Sequence, residues 1–431
     1  MTSPRSPDRS FVLAMGFGTT AAMWGVGYVC RLPAVLAPSA VVLALMLACL
    51  LVGGFLAGRL TGGGFLAGAA AGGLSSVLNL LVLGSLLGGS SPDRIVPSAL
   101  WWLPGSIATG VVVTALAAMA GSRSAVPPEG PRDWTAAFTK VAAATTMLLL
   151  VVGGLVTSKE AGLAVVDWPR SYGYNMFLYP LSLMTGGIYY EHAHRLFGSL
   201  VGLTTVVLAI HLHRIEGRRP VKRLSLVAAI LVIVQGILGG LRVTEISIFL
   251  AVAHAVLAQV FFCVLASIAV ITSKTWKSAP AAPMGAGGAD RTICMILVGL
   301  LLVQLALGAA LRHLDAALVV HSALGVALLP LAVFCGTRAL DPAQEGSTLR
   351  TNGWVLIHLA IAQVVLGLGA LVATRLLPQG PAPEGWSVTL ATAHQGTGAL
   401  LLASAVAVTL WNHRLRTPSP AGVSRPTVSV T

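Results

Sequence analysis

Long apolar runs are the feature that most constrains how this chain can fold. Only 10% of its 431 residues are charged and its mean hydropathy is +0.85, whereas a soluble domain carries about 25% charged residues. About twelve runs reach the ~20 residues that a helix needs to cross a bilayer. They are predicted near 11–30, 34–57, 64–89, 97–120, 136–157, 188–210, 222–241, 247–272, 292–311, 316–336, 353–374 and 389–411.

A Gln-x-x-Leu-Gly pattern recurs three times among the predicted helices and indicates a repeat. It begins at Gln235, Gln304 and Gln363, each time in an odd-numbered helix of the last eight. We therefore expect an all-α polytopic membrane protein whose last eight helices form two pseudo-symmetric four-helix bundles. The predicted units are an N-terminal four-helix extension of unassigned role at 1–121, a linker at 122–135, a first bundle at 136–273, a linker at 274–291, a second bundle at 292–412 and a disordered cytoplasmic tail at 413–431.

Loop charges predict the orientation. The net charge is +13, and with the N-terminus inside, about 19 of the 27 Lys and Arg residues fall on the inner side. Both termini are thus expected in the cytoplasm and the chain in the inner (plasma) membrane, surrounded by lipid. No basic stripe with interleaved aromatic residues occurs, which argues against a nucleic-acid partner. The five cysteines show no metal-ligand spacing, which argues against a zinc or iron–sulfur site.

Four histidines, one in each even-numbered helix of the last eight, fall near the outer ends of the spans. An ionisable residue inside a membrane is costly and usually functional, and two histidines on facing helices of a bundle can bind heme iron from both sides. We expect His194 with His254, and His321 with His394, to be axial ligands of heme iron. The alternative is that each histidine only hydrogen-bonds a neighbouring helix.

Charged residues accompany these histidines on the outer side. Glu191 lies three positions before His194, on the same helix face, and is a candidate catalytic proton acceptor; otherwise it is an interfacial acid at the helix start. Arginine pairs with carboxylates, so the outer arginines are candidate contacts of the heme propionates, the alternative being extension of their side chains to the interface. They are Arg195, Arg242, Arg312 and Arg375.

Four features together resemble the heme A synthase family of cytochrome oxidase assembly proteins. They are the Gly-Gly-Leu-Val-Thr to Asp-Trp segment at 153–168, the Glu-x-x-His-Arg motif at 191–195, the glycine motif that begins at Gln235, and His254. The resemblance covers roughly residues 136–412. It implies an oxidoreductase that converts the C8 methyl of heme O to a formyl group, which gives heme A.

The resemblance also implies a division of roles. His194 and His254 would hold the substrate heme, with Glu191 required for the chemistry, and His321 and His394 would hold a heme b cofactor. Heme O, heme O synthase and an electron acceptor are the expected partners, and a homo-oligomer stays open. The sequence departs from the family at Val156-Thr157 and Ser322, where Thr-Arg and an arginine are common.

Two other functions compete with this one. A non-enzymatic b-type cytochrome in electron transfer would also use paired histidines in a bundle, but would not need a carboxylate beside one pair. A heme O synthase-type prenyltransferase needs aspartate-rich pairs to hold magnesium pyrophosphate, and these helices have none. The alternative to heme A synthesis is therefore electron transfer.

Overall fold

Twelve helices in the described part of the chain are long and apolar enough to cross a membrane. The computed structural model describes residues 8–89, 91–92, 94–125, 132–279, 288–340, 348–378 and 385–416. The prediction of an all-α membrane fold with about twelve spans is confirmed. The helices are α1 Arg9–Arg31, α2 Ser39–Thr61, α3 Gly64–Leu87, α4 Ala99–Arg123, α5 Trp134–Ser158, α6 Gly186–Ile215, α7 Arg219–Thr244, α8 Ile248–Thr272, a short α9 Lys274–Ser278, α10 Gly288–Leu314, α11 Leu318–Arg338, α12 Thr348–Leu371 and α13 Gly385–Arg416.

Side-chain caps and apolar length define these helices. Asp8, Asp133 and Ser247 each accept a hydrogen bond from a backbone N–H in the first turn of α1, α5 and α8, which satisfies donors that a helix start leaves free. Large apolar side chains remain exposed along most of the spans, because lipid rather than water surrounds them. Capping side chains and loops therefore determine where the helices begin and end, and the surrounding membrane accounts for the apolar side chains along them.

The last eight long helices form two rings of four. In the first bundle α5, α6, α7 and α8 each contact their two ring neighbours, and α10, α11, α12 and α13 do the same in the second. The bundles meet through α5 and α8 on one side and α10 and α13 on the other. At this junction Thr392 Oγ1 donates a 3.1 Å hydrogen bond to Ser158 Oγ.

The N-terminal extension packs on the first bundle and shares its core. α1 contacts α5 and α6, and α3 contacts α6; the Phe17 and Phe138 rings lie 5.4 Å apart between α1 and α5. Within the extension, Gly54 and Gly58 of α2 approach the α4 backbone so closely that a Cβ would overlap with it, as small residues allow in membranes. The extension is thus one packed body with the bundle.

Two predicted boundaries need correction. The tail was expected to begin at residue 413, but α13 continues to Arg416, because its inner end still packs: the Trp411 ring lies 4.8 Å from that of Trp276. Residues 417–431 lie outside the described residues. The second linker contains α9 and ends where α10 begins at Gly288, with 280–287 outside the described residues, as is 126–131 of the first linker.

Candidate paired-histidine sites

The four predicted histidines come together as two pairs. All four lie within the first ten residues of their helices, α6, α8, α11 and α13. The ring centroids of His194 and His254 are 6.4 Å apart with ring planes at 85°, and those of His321 and His394 are 6.3 Å apart at 87°. Two imidazoles bonded at about 2 Å to opposite sides of one metal ion have centroids about 6 Å apart. Both pairs therefore have the spacing of axial ligands.

A glycine lies under each of the four imidazoles. In every case it belongs to the preceding helix of the ring, and a Cβ there would lie 2.8–3.1 Å from the Cε1 atom of the histidine. A side chain at these positions would push the ring away from its partner. The four contacts are Gly153 with His194, Gly239 with His254, Gly308 with His321, and Gly367 with His394. Three of these glycines end the Gln-x-x-Leu-Gly pattern, which explains why that pattern recurs.

The glutamine of the pattern fixes the helix that carries the histidine. Gln235 Nε2 donates to the His254 carbonyl at 3.1 Å, and Gln304 Nε2 donates to the His321 carbonyl at 2.8 Å. Gln363 contacts the imidazole instead: His394 Nδ1 lies 3.1 Å from its backbone carbonyl, and His394 Nε2 lies 3.4 Å from its Nε2. α5 has Leu149 at the corresponding position, four residues before Gly153. His194 thus lacks the glutamine contact of the other three.

The donor set fits a heme better than a bare metal ion. Among the residues that the structure describes, no group of three or more His, Cys, Asp or Glu side chains could hold a metal ion, although bare zinc sites use three or four protein ligands. A porphyrin supplies four nitrogens and leaves two axial positions. Within the described part of the chain, Nδ1 of His194, His254 and His321 is buried without a hydrogen-bond partner.

Glu191 is bonded to a loop as well as to its own helix. The side chain is only 3% exposed; Oε2 accepts a 2.9 Å hydrogen bond from the Val165 N–H, and Oε1 pairs with Arg195 at 2.7 Å. Charged hydrogen bonds of this kind fix the position of a carboxylate. The structure thus places the Glu191 carboxylate one helical turn from His194.

The outer loop between α5 and α6 covers the first bundle. Arg195 donates to the carbonyls of Val165, Asp167 and Arg170 at 2.6–3.0 Å. The Trp168 indole lies against Gly240, next to the glycine under His254. A two-stranded hairpin, β1 Arg170–Ser171 and β2 Tyr174–Asn175, closes this loop, which we call the outer cap (residues 159–185).

Every candidate propionate contact already has a protein partner. Arg195 binds Glu191 and the outer cap, and the Arg242 guanidinium lies against Gly162 of the cap. Arg312 donates to the Thr157 carbonyl, and Arg375 pairs with Asp315. Contact with propionates stays a prediction for all four, and holding the outer ends of the helices is a second role for each.

His192 was not singled out from the sequence, because its helical position excludes it from the face of His194. The structure buries it completely and places its Nδ1 3.0 Å from Ser171 Oγ and its ring 4.9 Å from that of Tyr179. Burial raises the pKa of the Tyr179 phenol, with Tyr172 adding to the effect. His192 therefore attaches Ser171 and Tyr179, two uncharged residues of the outer cap, to α6. In the sequence, only its position inside the Glu-x-x-His motif could have indicated this contact.

Comparison with known proteins supports the resemblance. Residues 136–323 match a family model described as COX15-CtaA, cytochrome oxidase assembly protein. The match spans Glu191, His194 and His254 and ends two residues after His321. No curated protein matches the chain. Over residues 136–323, the chain is thus similar to the COX15-CtaA family of cytochrome oxidase assembly proteins.

Proposed function

We propose that this protein is a heme A synthase, which oxidises the C8 methyl of heme O to a formyl group for cytochrome oxidase assembly. The observation that carries the proposal is the asymmetry between two equally spaced histidine pairs: among the described residues, only His194 and His254 have a buried carboxylate and a covering loop beside them. Overall, the methyl group and one water give the formyl group, four electrons and four protons, and a membrane electron acceptor such as a quinone takes the electrons.

The two pairs divide the work. His194 and His254 hold the substrate heme, because Glu191 and the outer cap adjoin them. His321 and His394 hold heme b, which supplies one-electron redox chemistry when bound. The glycine under each ring and the glutamines behind three of them keep the imidazoles at ligand distance before the heme enters.

Glu191 accepts protons that the oxidation releases. Its carboxylate is held by the Val165 N–H and by Arg195, which position it to act as a general base. The bonds also fix its position relative to the first pair. The outer cap, bound at both α6 and α7, restricts the access of bulk water to the outer end of this bundle.

Helix α5 lies between the two bundles and packs against α6 and α13, which carry one histidine of each pair. This proximity supports electron transfer between the pairs. Gly153 of α5 contacts His194, and the next residue, Gly154, would place a Cβ 3.2 Å from Gln395 Oε1, adjacent in sequence to His394. One turn of α5 thus contacts His194 on one side and the sequence neighbour of His394 on the other. A heme b held by His321 and His394 would be close enough to this turn to accept electrons from the substrate side.

The chain is a multi-pass membrane protein. We infer that it lies in the inner (plasma) membrane with both termini in the cytoplasm and the heme sites towards the outer face. The excess of basic residues in loops that share the side of the N-terminus supports this orientation. Heme O synthase is the partner expected to supply the substrate.

Co-expression of the full chain with a heme O source tests the proposal. Extracted pigments are identified by mass, and we expect heme A with the native chain and none with Glu191→Gln. Recovery of bound heme b without heme A would instead favour the non-enzymatic b-type cytochrome, which the same histidine spacing permits. A purified protein with no bound heme would contradict both functions.

A further inference from the structure

The N-terminal extension touches the first bundle at the places that surround its Glu-x-x-His motif. On α1, the Tyr28 ring stacks on Tyr189 at 5.4 Å, and the Tyr28 carbonyl accepts a 2.6 Å hydrogen bond from the Tyr189 hydroxyl. Trp24 and Tyr28 also meet the Phe197 ring edge-on at 5.4 and 5.8 Å. Tyr189 and Phe197 lie two residues before Glu191 and three after His194, so α1 holds α6 on both sides of the motif.

α3 holds the outer cap. At the end of this helix a Cβ on Gly84 would overlap with the Phe177 carbonyl oxygen, and one on Gly88 would overlap with that of Leu178. The cap backbone therefore lies directly on the helix, at a distance that only glycine allows. No other residue type at these two positions would leave the cap where it is.

The cap carries this contact to α6. The residue after Leu178 is Tyr179, which is 3% exposed and whose ring lies 4.9 Å from that of His192. Ser171 bonds His192, and Val165 bonds Glu191. One continuous chain of contacts thus runs from α3 through the cap to the carboxylate beside His194.

From these contacts we infer that the extension positions the first histidine site: Gly84 of α3 and Gly88, directly after it, position the outer cap, and Tyr28 of α1 positions the first turns of α6. The second pair has no such support, because in the described part of the chain none of α1–α4 packs along a helix of the second bundle. Displacement of the cap would therefore alter the geometry of His194 and His254 and leave that of His321 and His394 unchanged.

Gly84→Val in the full chain tests this inference, with Gly121→Val as the matched control. A Cβ on Gly121 overlaps with the Phe55 carbonyl as severely, but inside the extension and away from the cap. Hydrogen exchange of the amides in 161–180 is expected to rise about tenfold in Gly84→Val and to stay at the native rate in Gly121→Val. This readout needs no heme, so it stands even if the proposed function fails.

The second readout rests on the proposed function. With heme bound, Gly84→Val should shift the electron paramagnetic resonance signals and reduction potential of the first heme and leave those of the second unchanged. Tyr189→Phe, which loses only the hydroxyl bonded to Tyr28, should shift them in the same direction by less, and Gly84→Ala should lie between native and Gly84→Val. Native exchange in a folded Gly84→Val, or equal shifts at both hemes, would overturn the inference. If Gly84→Val does not accumulate, unchanged first-heme signals in Tyr189→Phe would overturn it.

Discussion

The Val165 N–H and the Glu191 carboxylate are joined by a 2.9 Å hydrogen bond across 26 residues of chain. The bond ties the outer cap to the helix that bears His194. It makes the position of the acid depend on the cap, and the position of the cap depend on the acid.

Replacing Glu191 by glutamine should separate chemistry from structure. The amide oxygen can still accept from Val165, but the ion pair with Arg195 is lost, which costs about 1–3 kcal/mol of stability for a charged hydrogen bond. We expect bound heme to be retained and heme A to disappear from extracted pigments, measured by mass. Full heme A output from Glu191→Gln would remove Glu191 from the mechanism.

Alanine at His321 or His194 should affect different hemes. His321→Ala removes a ligand of the second pair and should abolish the resident heme b, seen as loss of its reduced spectrum. His194→Ala should keep heme b and lose binding of the substrate heme. The opposite assignment of losses would show that the two bundles have exchanged roles.

Gly239→Val should damage one site selectively. The added side chain would collide with the His254 imidazole, since even a Cβ would lie 3.1 Å from Cε1, and overpacking costs about 1–3 kcal/mol. We expect loss of heme at the first pair with heme b retained. Gly236→Val is the control, because Gly236 is on the same helix and a Cβ there would have no heavy atom within 4 Å. Equal heme loss in both variants would show that Gly239 has no special role in positioning the imidazole.

Gln304→Leu should weaken the second site without abolishing it. The variant removes the bond to the His321 carbonyl and copies Leu149, the residue that α5 carries in the first bundle. Groups that orient a metal ligand typically contribute about 10–100-fold in affinity, so we expect heme b to dissociate about tenfold faster, measured by transfer to an apo-globin. An unchanged dissociation rate would show that the glutamine does not support the ligand.

The twelve helices and the four histidines were predictable because they depend on local pattern. Apolar length determines a span, and a histidine in such a run stands out whatever surrounds it. The Gln-x-x-Leu-Gly pattern was recognised as a repeat, but its meaning, a glycine surface for the imidazole of the next helix, needed the packing of two helices.

The outer cap could not be predicted in the same way, because its contacts join distant segments. Nothing local to Gly84 indicates that Phe177 lies on it, and nothing local to His192 indicates Ser171. Helical spacing placed Glu191 on the face of His194, but could not show that both carboxylate oxygens are bonded to Val165 and Arg195. The end of α13 differs from the prediction for a related reason: the helix continues to Arg416 because Trp411 packs against Trp276.

The glycine under every imidazole has a consequence for how such a protein is assembled. α5–α6, α7–α8, α10–α11 and α12–α13 are four copies of one helical hairpin, each with a glycine on its first arm and a histidine on its second. One hairpin supplies only one histidine of a pair. The smallest self-sufficient unit is therefore a pair of hairpins, and this chain contains that unit twice.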